Sequence, residues 1–189
     1  MQRRDLAASG ARLLAAALRA WVQETWEERE FARLMVIEAL FSGGWRNRDT
    51  WERFGLRDET SVAGIKFRAL KRLRELAAAR DPEGSLSALF AEALDSGESD
   101  VHFDVAELWK RSRASCPARH WLARQAAGTL PEGPADFVRF HLGEMHCEWC
   151  QANLDDLERQ GREAELEPLL GSLQASTLRY LHSRTQPPA

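Results

Sequence analysis

Residues 39–76 read ALFSGGWRNRDTWERFGLRDETSVAGIKFRALKRLREL, and within this stretch a sharp break separates two helical patterns. Residues 47–54 fit a short helix, and Gly55 suits the left-handed residue of the tight turn that follows. Asp58 or Thr60 can cap a second helix. The apolar positions of that helix recur every three or four residues until Asp81 and Pro82 stop the pattern, and they are Val62, Ile65, Ala69, Leu73 and Leu76. A short helix, a turn and a longer helix predict a helix-turn-helix.

The segments on either side of this unit also carry helical periodicity. Apolar residues predict an N-terminal helix over residues 6–21 and a second helix over residues 26–41, which Gly43 and Gly44 end. In the second half we expect helices at residues 104–113, 117–127, 134–145, 147–158 and 163–184. No segment alternates with the two-residue period of a strand. The sequence therefore predicts an all-α fold, in which a helix-turn-helix domain is followed by a small helical domain.

Charge and composition divide the chain near Asp81. Residues 1–80 hold 16 Lys or Arg against 11 Asp or Glu, a net charge of +5, whereas residues 81–189 hold 10 against 18, a net charge of −8. Residues 81–100 begin and end in Gly, Ser, Pro and acidic clusters, as linkers do. We therefore predict an N-terminal helix at 1–25, a helix-turn-helix domain at 26–80, a linker at 81–100, a helical domain at 101–184 and a disordered tail at 185–189.

Basic side chains are concentrated in the second helix of the helix-turn-helix. Between Thr60 and Arg80 only Glu75 opposes six of them, which are Lys66, Arg68, Lys71, Arg72, Arg74 and Arg80. Such a surface can contact the phosphates of DNA. The same pattern also fits an ordinary solvated amphipathic helix, so the charges alone do not decide between the two interpretations.

The same stretch resembles region 4 of extracytoplasmic-function sigma factors. The resemblance is carried by the glycine before the short helix and by three segments, residues 47–49 (NRD), 52–56 (ERFGL) and 68–76 (RALKRLREL). It implies that the second helix reads a -35-type element of promoter DNA and that the surrounding surface meets the RNA polymerase core. It also implies a set of DNA-binding residues, with Ser61, Ala63, Gly64 and Lys66 near base edges, Arg57, Arg68 and Arg72 nearer phosphates, and Lys71 beside them.

A sigma factor also needs a region 2, which recognises and melts the promoter. The residues before Trp26 are too few to form that region. We therefore expect either the C-terminal part of a longer sigma factor or a free-standing regulator that has kept only the -35-type module.

Soft metal-ligand types are grouped in the second half of the chain. Cys116 is followed by residues 141–150, which read HLGEMHCEWC. Three thiols without a secretion signal are too few for a disulfide framework, whereas four soft ligands form a closed zinc site. Cys147 and Cys150 can bind one ion from the start of a helix, and His141 and Cys116 complete the set of four ligands. The other interpretation is that Cys116 is a small buried apolar residue and that the cysteine pair is incidental or redox-active.

This arrangement resembles the zinc-binding anti-sigma fold, in which an early Cys or His precedes a helix carrying His and then a Cys-x-x-Cys pair. That fold usually has His-x-x-x-Cys, whereas five residues separate His141 from Cys147 here. His146 and His120 therefore stay open as alternatives for the histidine ligand. The second half is also similar to the C-terminal extensions of planctomycete-type sigma factors. The resemblance implies a zinc-binding regulatory domain and a sigma or anti-sigma protein as a partner.

These observations predict a transcription initiation or regulatory protein that binds double-stranded promoter DNA and carries Zn²⁺. The alternative is an anti-sigma-like interaction module that binds a sigma factor or the polymerase without binding DNA itself. We expect no enzyme, because the sequence has no Ser/His/Asp set, no phosphate-cradling glycine loop and no paired carboxylates near a plausible pocket. No apolar run approaches the roughly 20 residues that span a bilayer, so we expect a soluble, cytoplasmic protein.

Overall fold

The computed structural model describes residues 2–81, 84 and 104–185, and these residues form helices without any strand. This confirms the all-α prediction. The helices are α1 Gln2–Glu27, α2 Phe31–Phe41, α3 Asn47–Arg53, α4 Glu59–Ala78, α5 Val105–Ser112, α6 Arg119–Ala126, α7 Glu132–Gly143 and α8 Glu148–Thr185. Apart from Asp81 and Gly84, the predicted linker lies outside the described residues, and so does the predicted tail after Thr185.

The first two helices differ from the prediction in where one ends and the next begins. The sequence placed Trp26 at the start of the second helix, but α1 continues through it to Glu27. Arg29 then adopts a left-handed backbone with φ of 60°. The Glu30 N–H bonds back to the Thr25 carbonyl at 3.0 Å, which closes the end of α1 before α2 starts at Phe31.

The helix-turn-helix forms as predicted, with α3 and α4 joined by a tight turn. Gly55 has φ of +60°, the left-handed conformation that glycine adopts without steric cost. Asp58, and not Thr60, is the N-cap of α4, because its carboxylate accepts from the Ser61 N–H at 2.8 Å. Residues Val62, Ala69, Leu73 and Leu76 form the buried face of α4. The two helices are therefore separate elements and not one rod.

The predicted helix-turn-helix domain and the predicted C-terminal domain share one hydrophobic core. The N-terminal helix α1 packs against α4 of the first and α5 of the second, and α2 packs against α7. Trp26 lies at a junction, with its ring centroid 5.1 Å from that of Phe31, 5.2 Å from that of Trp121 and 5.3 Å from that of Phe137. These rings come from α1, α2, α6 and α7. The change of charge near Asp81 is thus not accompanied by a separation of the two cores.

The last helix also differs from the prediction, because α8 is one continuous helix where the sequence indicated two. Gly161 lies in the predicted gap, but an interior glycine costs only about 1 kcal/mol and does not end a helix by itself. Ion pairs one turn apart, Arg159 with Asp156 and Arg162 with Glu158, run across this region. Five leucine side chains of α8 are exposed to solvent, namely Leu166, Leu169, Leu170, Leu173 and Leu178.

No helix within the part of the chain that the structure describes combines the length and the apolar character needed to cross a bilayer.

Candidate metal centre and nucleic-acid interface

Four elements bring the predicted metal ligands together. Cys116 lies in the connection between α5 and α6, His141 is on α7, Cys147 precedes α8, and Cys150 is in the first turn of α8. The three Sγ atoms and one ring nitrogen of His141 all lie within 4.8 Å of one another. These residues, separated by up to 34 positions in the chain, therefore form a cluster that can hold one metal ion.

The spacing of the sulfur atoms fits metal ligation. The Sγ atoms of Cys116 and Cys147 are 3.7 Å apart. Two sulfurs of a disulfide are about 2.05 Å apart, whereas two thiolates bound tetrahedrally at about 2.3 Å from one ion are about 3.8 Å apart. All three cysteines are free thiols.

His141 is oriented as a ligand. Its side chain is buried, and its Nδ1 lies 2.7 Å from Oε1 of Glu38 on α2. Its other ring nitrogen, Nε2, is buried and has no hydrogen-bond partner among the described residues. A buried nitrogen without a partner is costly unless something else occupies its lone pair. A metal ion within the cluster would satisfy Nε2 while Glu38 holds Nδ1.

The thiol and imidazole groups perturb one another strongly. Hydrogen bonds with Cys116 and Cys150 lower the pKa of Cys147, and the bond with Cys147 raises the pKa of Cys116. Burial alone would lower the pKa of His141, but the charge of Glu38 and the neighbouring sulfur atoms of Cys147 and Cys150 raise it to about 12. A cation bound at this site would displace these protons, because metal ligands must be deprotonated.

The structure places the two alternative histidines outside the cluster. His120 is exposed and packs beside Trp121, with ring centroids 5.0 Å apart. His146 is exposed in the connection between α7 and α8, where its φ is 48°. Of the three histidines that the sequence left open, His141 is the one that the fold brings to the cysteines.

A polar network behind His141 was not foreseen from the sequence. Oε1 of Glu38 also accepts a hydrogen bond from the Ser115 hydroxyl, and the Trp109 Nε1–H donates to Ser115 Oγ at 2.8 Å. All three side chains are buried. Glu38 did give a signal, because it occupies an apolar position of the α2 pattern, where a carboxylate requires a buried partner. The identity of that partner required the tertiary structure.

The second candidate site is the outer face of α4, the side of the helix opposite its buried residues. A line of side chains spaced three or four residues apart runs along this face and consists of Thr60, Gly64, Phe67, Lys71 and Arg74. Four of the five are exposed and Gly64 is half-buried, so the described residues leave this face open. Lys66 and Arg68 are exposed on either side of the line.

Some of the predicted DNA-binding residues are already engaged within the protein. The Ser61 hydroxyl bonds to the capping carboxylate of Asp58, and Arg57 lies 3.4 Å from the same residue. Arg72 bonds to Glu24 of α1 at 2.8 Å and to Glu75 at 3.0 Å, and these two carboxylates raise its pKa. Ala63, Lys66, Arg68 and Lys71 are exposed. Lys66, Arg68 and Lys71 therefore carry the basic side chains of the predicted set that are most available to a ligand.

Phe67 is the main residue of this face that the sequence reasoning missed. It is 66% exposed and lies at the centre of the outer line, between Gly64 and Lys71. A single exposed aromatic ring is ordinary on a protein surface, so the feature of interest is the position of Phe67 at the centre of the basic face. Helical periodicity could have found it, since Phe67 lies opposite the apolar stripe that begins at Val62.

No protein-family model matches this chain, and comparisons with curated proteins and with solved structures give no significant match.

Proposed function

We propose that this chain is a DNA-binding transcription regulator that uses α3 and α4 as a helix-turn-helix of the sigma region 4 type. In this proposal α4 recognises a -35-type element of double-stranded promoter DNA, and the surrounding surface contacts the RNA polymerase core. The observation that carries the proposal is the outer face of α4. This face is exposed and basic. Helix α4 itself follows a short helix and a left-handed turn, as a recognition helix does.

The chemistry of this face suits duplex DNA. Lys71, Arg68 and Lys66 provide positive charge for phosphates on both sides of the outer line. Phe67 offers an apolar surface at the centre of the line, and in a major groove the apolar group that it can contact is the methyl of thymine. Gly64, one turn earlier, has no side chain that would hold a base edge away.

We further propose that the metal ion is Zn²⁺ and that its role is structural. Three thiolates and one imidazole are a ligand set typical of zinc, and the sulfur spacing fits a tetrahedral site. Four protein ligands complete the coordination and leave no position for a reactive water, so the site gives no support for hydrolytic chemistry.

The DNA-binding proposal is tested with the full chain, because the helix-turn-helix shares one hydrophobic core with α1 and with the half that carries the metal ligands. The probe is a pool of random-sequence duplex DNA at low salt, from which a preferred site is selected. We expect binding that weakens steeply with salt. The double variant Arg68→Ala/Lys71→Ala should weaken binding and reduce the slope of log affinity against log salt by about one for each phosphate that the variant no longer neutralises.

The matched control removes two exposed basic side chains from α5, which is on another part of the molecule. Lys110→Ala/Arg111→Ala changes the net charge by the same amount but leaves α4 intact. We expect its affinity and salt slope to stay close to those of the unmodified chain. No affinity for duplex DNA at low salt would refute the proposal, and equal losses in both double variants would reduce it to non-specific charge attraction.

The interaction-module alternative is supported by a different observation, the five exposed leucines of α8. Such side chains are typical of a surface that another protein covers. In this alternative α8 binds a sigma factor or the polymerase, and α4 makes no DNA contact. Recovery of a sigma factor by the immobilised chain, with no retention of DNA in the selection above, would favour this function over the first.

A further inference from the structure

The metal ligands belong to the second half of the chain, but the residue that orients one of them belongs to the first. Glu38 is on α2, the helix that precedes the helix-turn-helix, and it is 1% exposed. Its Oε1 accepts from His141 Nδ1 at 2.7 Å and from the Ser115 hydroxyl. Ser115 directly precedes the ligand Cys116. One oxygen of Glu38 is therefore hydrogen-bonded both to the ligand His141 and to Ser115, the neighbour of the ligand Cys116.

A buried carboxylate is expensive to maintain, so its position requires compensation. Oε2 of Glu38 is buried and has no hydrogen-bond partner within the part of the chain that the structure describes. An apolar side chain would avoid this desolvation cost. Metal-bound imidazoles commonly donate their second nitrogen to a carboxylate, which fixes the tautomer and makes the ligand nitrogen more basic. Glu38 has the geometry for that role, and His141 Nε2 is the buried nitrogen left for the ion.

The helix that carries His141 also contacts the turn of the helix-turn-helix. Phe140, the residue before His141, is buried, and its ring centroid lies 5.5 Å from that of Phe54, the C-cap residue directly after α3. Glu144, directly after α7, bonds to Nε of Arg53 at 2.9 Å. The segment around the metal centre thus contacts α2, where His141 meets Glu38, and the end of α3, where Phe140 and Glu144 make the contacts.

We propose that Glu38 is a positioning residue of the metal centre, and that through it metal binding in the second half stabilises the helix-turn-helix in the first. The chain of contacts runs from the ion through His141 to Glu38 and α2. Metal binding should accordingly increase the protection of the α3 and α4 amides against hydrogen exchange, although neither helix supplies a ligand. This inference rests on the metal centre and not on DNA binding.

The first test is the affinity of the full chain for Zn²⁺ alone, measured by competition with a chelator, together with the absorption spectrum of the Co²⁺ form. Glu38→Leu removes the acceptor and should weaken metal binding about 10-fold to 100-fold and alter the Co²⁺ spectrum. Glu38→Gln keeps an oxygen that can accept from both His141 and Ser115, so most of the affinity should return. A purely structural role for Glu38 would not predict that rescue.

Glu144→Gln is the matched control, because it removes another carboxylate that links the two halves but that contacts no ligand. Its metal affinity should equal that of the unmodified chain. The second measurement is amide hydrogen exchange over residues 47–78 with and without Zn²⁺. Protection should increase with the ion in the unmodified chain and in Glu38→Gln, and much less in Glu38→Leu.

The outcomes separate the two levels of the proposal. An unmodified chain that binds no Zn²⁺ would remove the metal centre itself. Unchanged affinity in Glu38→Leu would remove only the role of Glu38. Exchange over residues 47–78 that does not respond to the ion would refute the link between the halves. If Glu38→Leu does not fold, the test rests on Glu38→Gln. A 10-fold loss of metal affinity in that variant would contradict the proposal that Glu38 acts as a hydrogen-bond acceptor and not through its charge.

Discussion

The metal centre and the outer face of α4 are built in opposite ways. The candidate metal centre would take its ligands from α7, from α8 and from two connections, and a residue of α2 contacts one of them. The outer face of α4 belongs to a single helix, whose periodicity alone aligns its side chains. A site assembled from distant segments fails when any segment moves, whereas a face on one helix persists while that helix is folded. Substitutions at the metal centre should therefore change stability, and substitutions on α4 should change binding.

The largest expected effect is the loss of a metal ligand. Cys150→Ser replaces a buried cysteine that joins α8 to the cluster. We expect the bound metal to fall from one equivalent to none, and the free energy of unfolding to fall by more than about 3 kcal/mol, because binding to the folded state alone contributes stability. Metal analysis and thermal unfolding with and without a chelator measure both effects. A chain that kept its metal and its melting temperature would contradict the assembled site.

The next effect concerns the contact between α7 and α2. A Cβ at Gly133 would lie 2.7 Å from Cδ2 of Phe31, whose ring already packs edge-on against Trp26. Gly133→Ala should therefore cost about 1–3 kcal/mol through overpacking, as measured by denaturant unfolding. Gly143→Ala on the same helix is the control, because a Cβ there meets no atom within 4 Å. Equal stability in both variants would show that the two halves are not closely packed at this point.

A smaller loss should follow from a change in the helix-turn-helix turn. Gly55 has φ of +60°, and a Cβ there would meet nothing within 4 Å. Gly55→Ala therefore introduces backbone strain alone, which costs about 1–2 kcal/mol. Gly55→Asn should cost less, because asparagine tolerates the left-handed region better. Chemical unfolding of both variants measures the difference. An alanine variant as stable as the unmodified chain would argue against the left-handed turn.

The smallest effect should be a gain. Gly64 is inside α4, and a Cβ there would lie in ordinary contact, 3.5 Å from Arg68 Nη1. Gly64→Ala should raise the free energy of unfolding by about 0.5–1 kcal/mol through helix propensity. Gly161→Ala on α8, where a Cβ would meet nothing within 4 Å, should give a similar gain. Only Gly64→Ala should weaken binding to the selected duplex. Identical binding by both variants would argue against a close approach of DNA at Gly64.

Local signals made much of the fold predictable. Gly55, Asp58 and the stripe beginning at Val62 specify the α3–turn–α4 unit, because capping, left-handed turns and helical periodicity act within a few residues. The boundary at Trp26 and the continuity of α8 were not predictable in the same way. The apolar pattern of the sequence is the same whether Trp26 ends one helix or begins the next. Its placement depends on the rings of Phe31, Trp121 and Phe137 around it.

By itself the sequence determined which residue types were available: a basic helix after a tight turn, and three thiols with an imidazole at metal-ligand spacing. Only the tertiary structure chose His141 over His120 and His146, and only it placed Glu38 behind that ligand. The physical reason is range. Helix caps and turns are decided by neighbours in the chain, whereas ligand geometry and the partner of a buried carboxylate depend on segments about a hundred residues apart that meet only when one shared core forms.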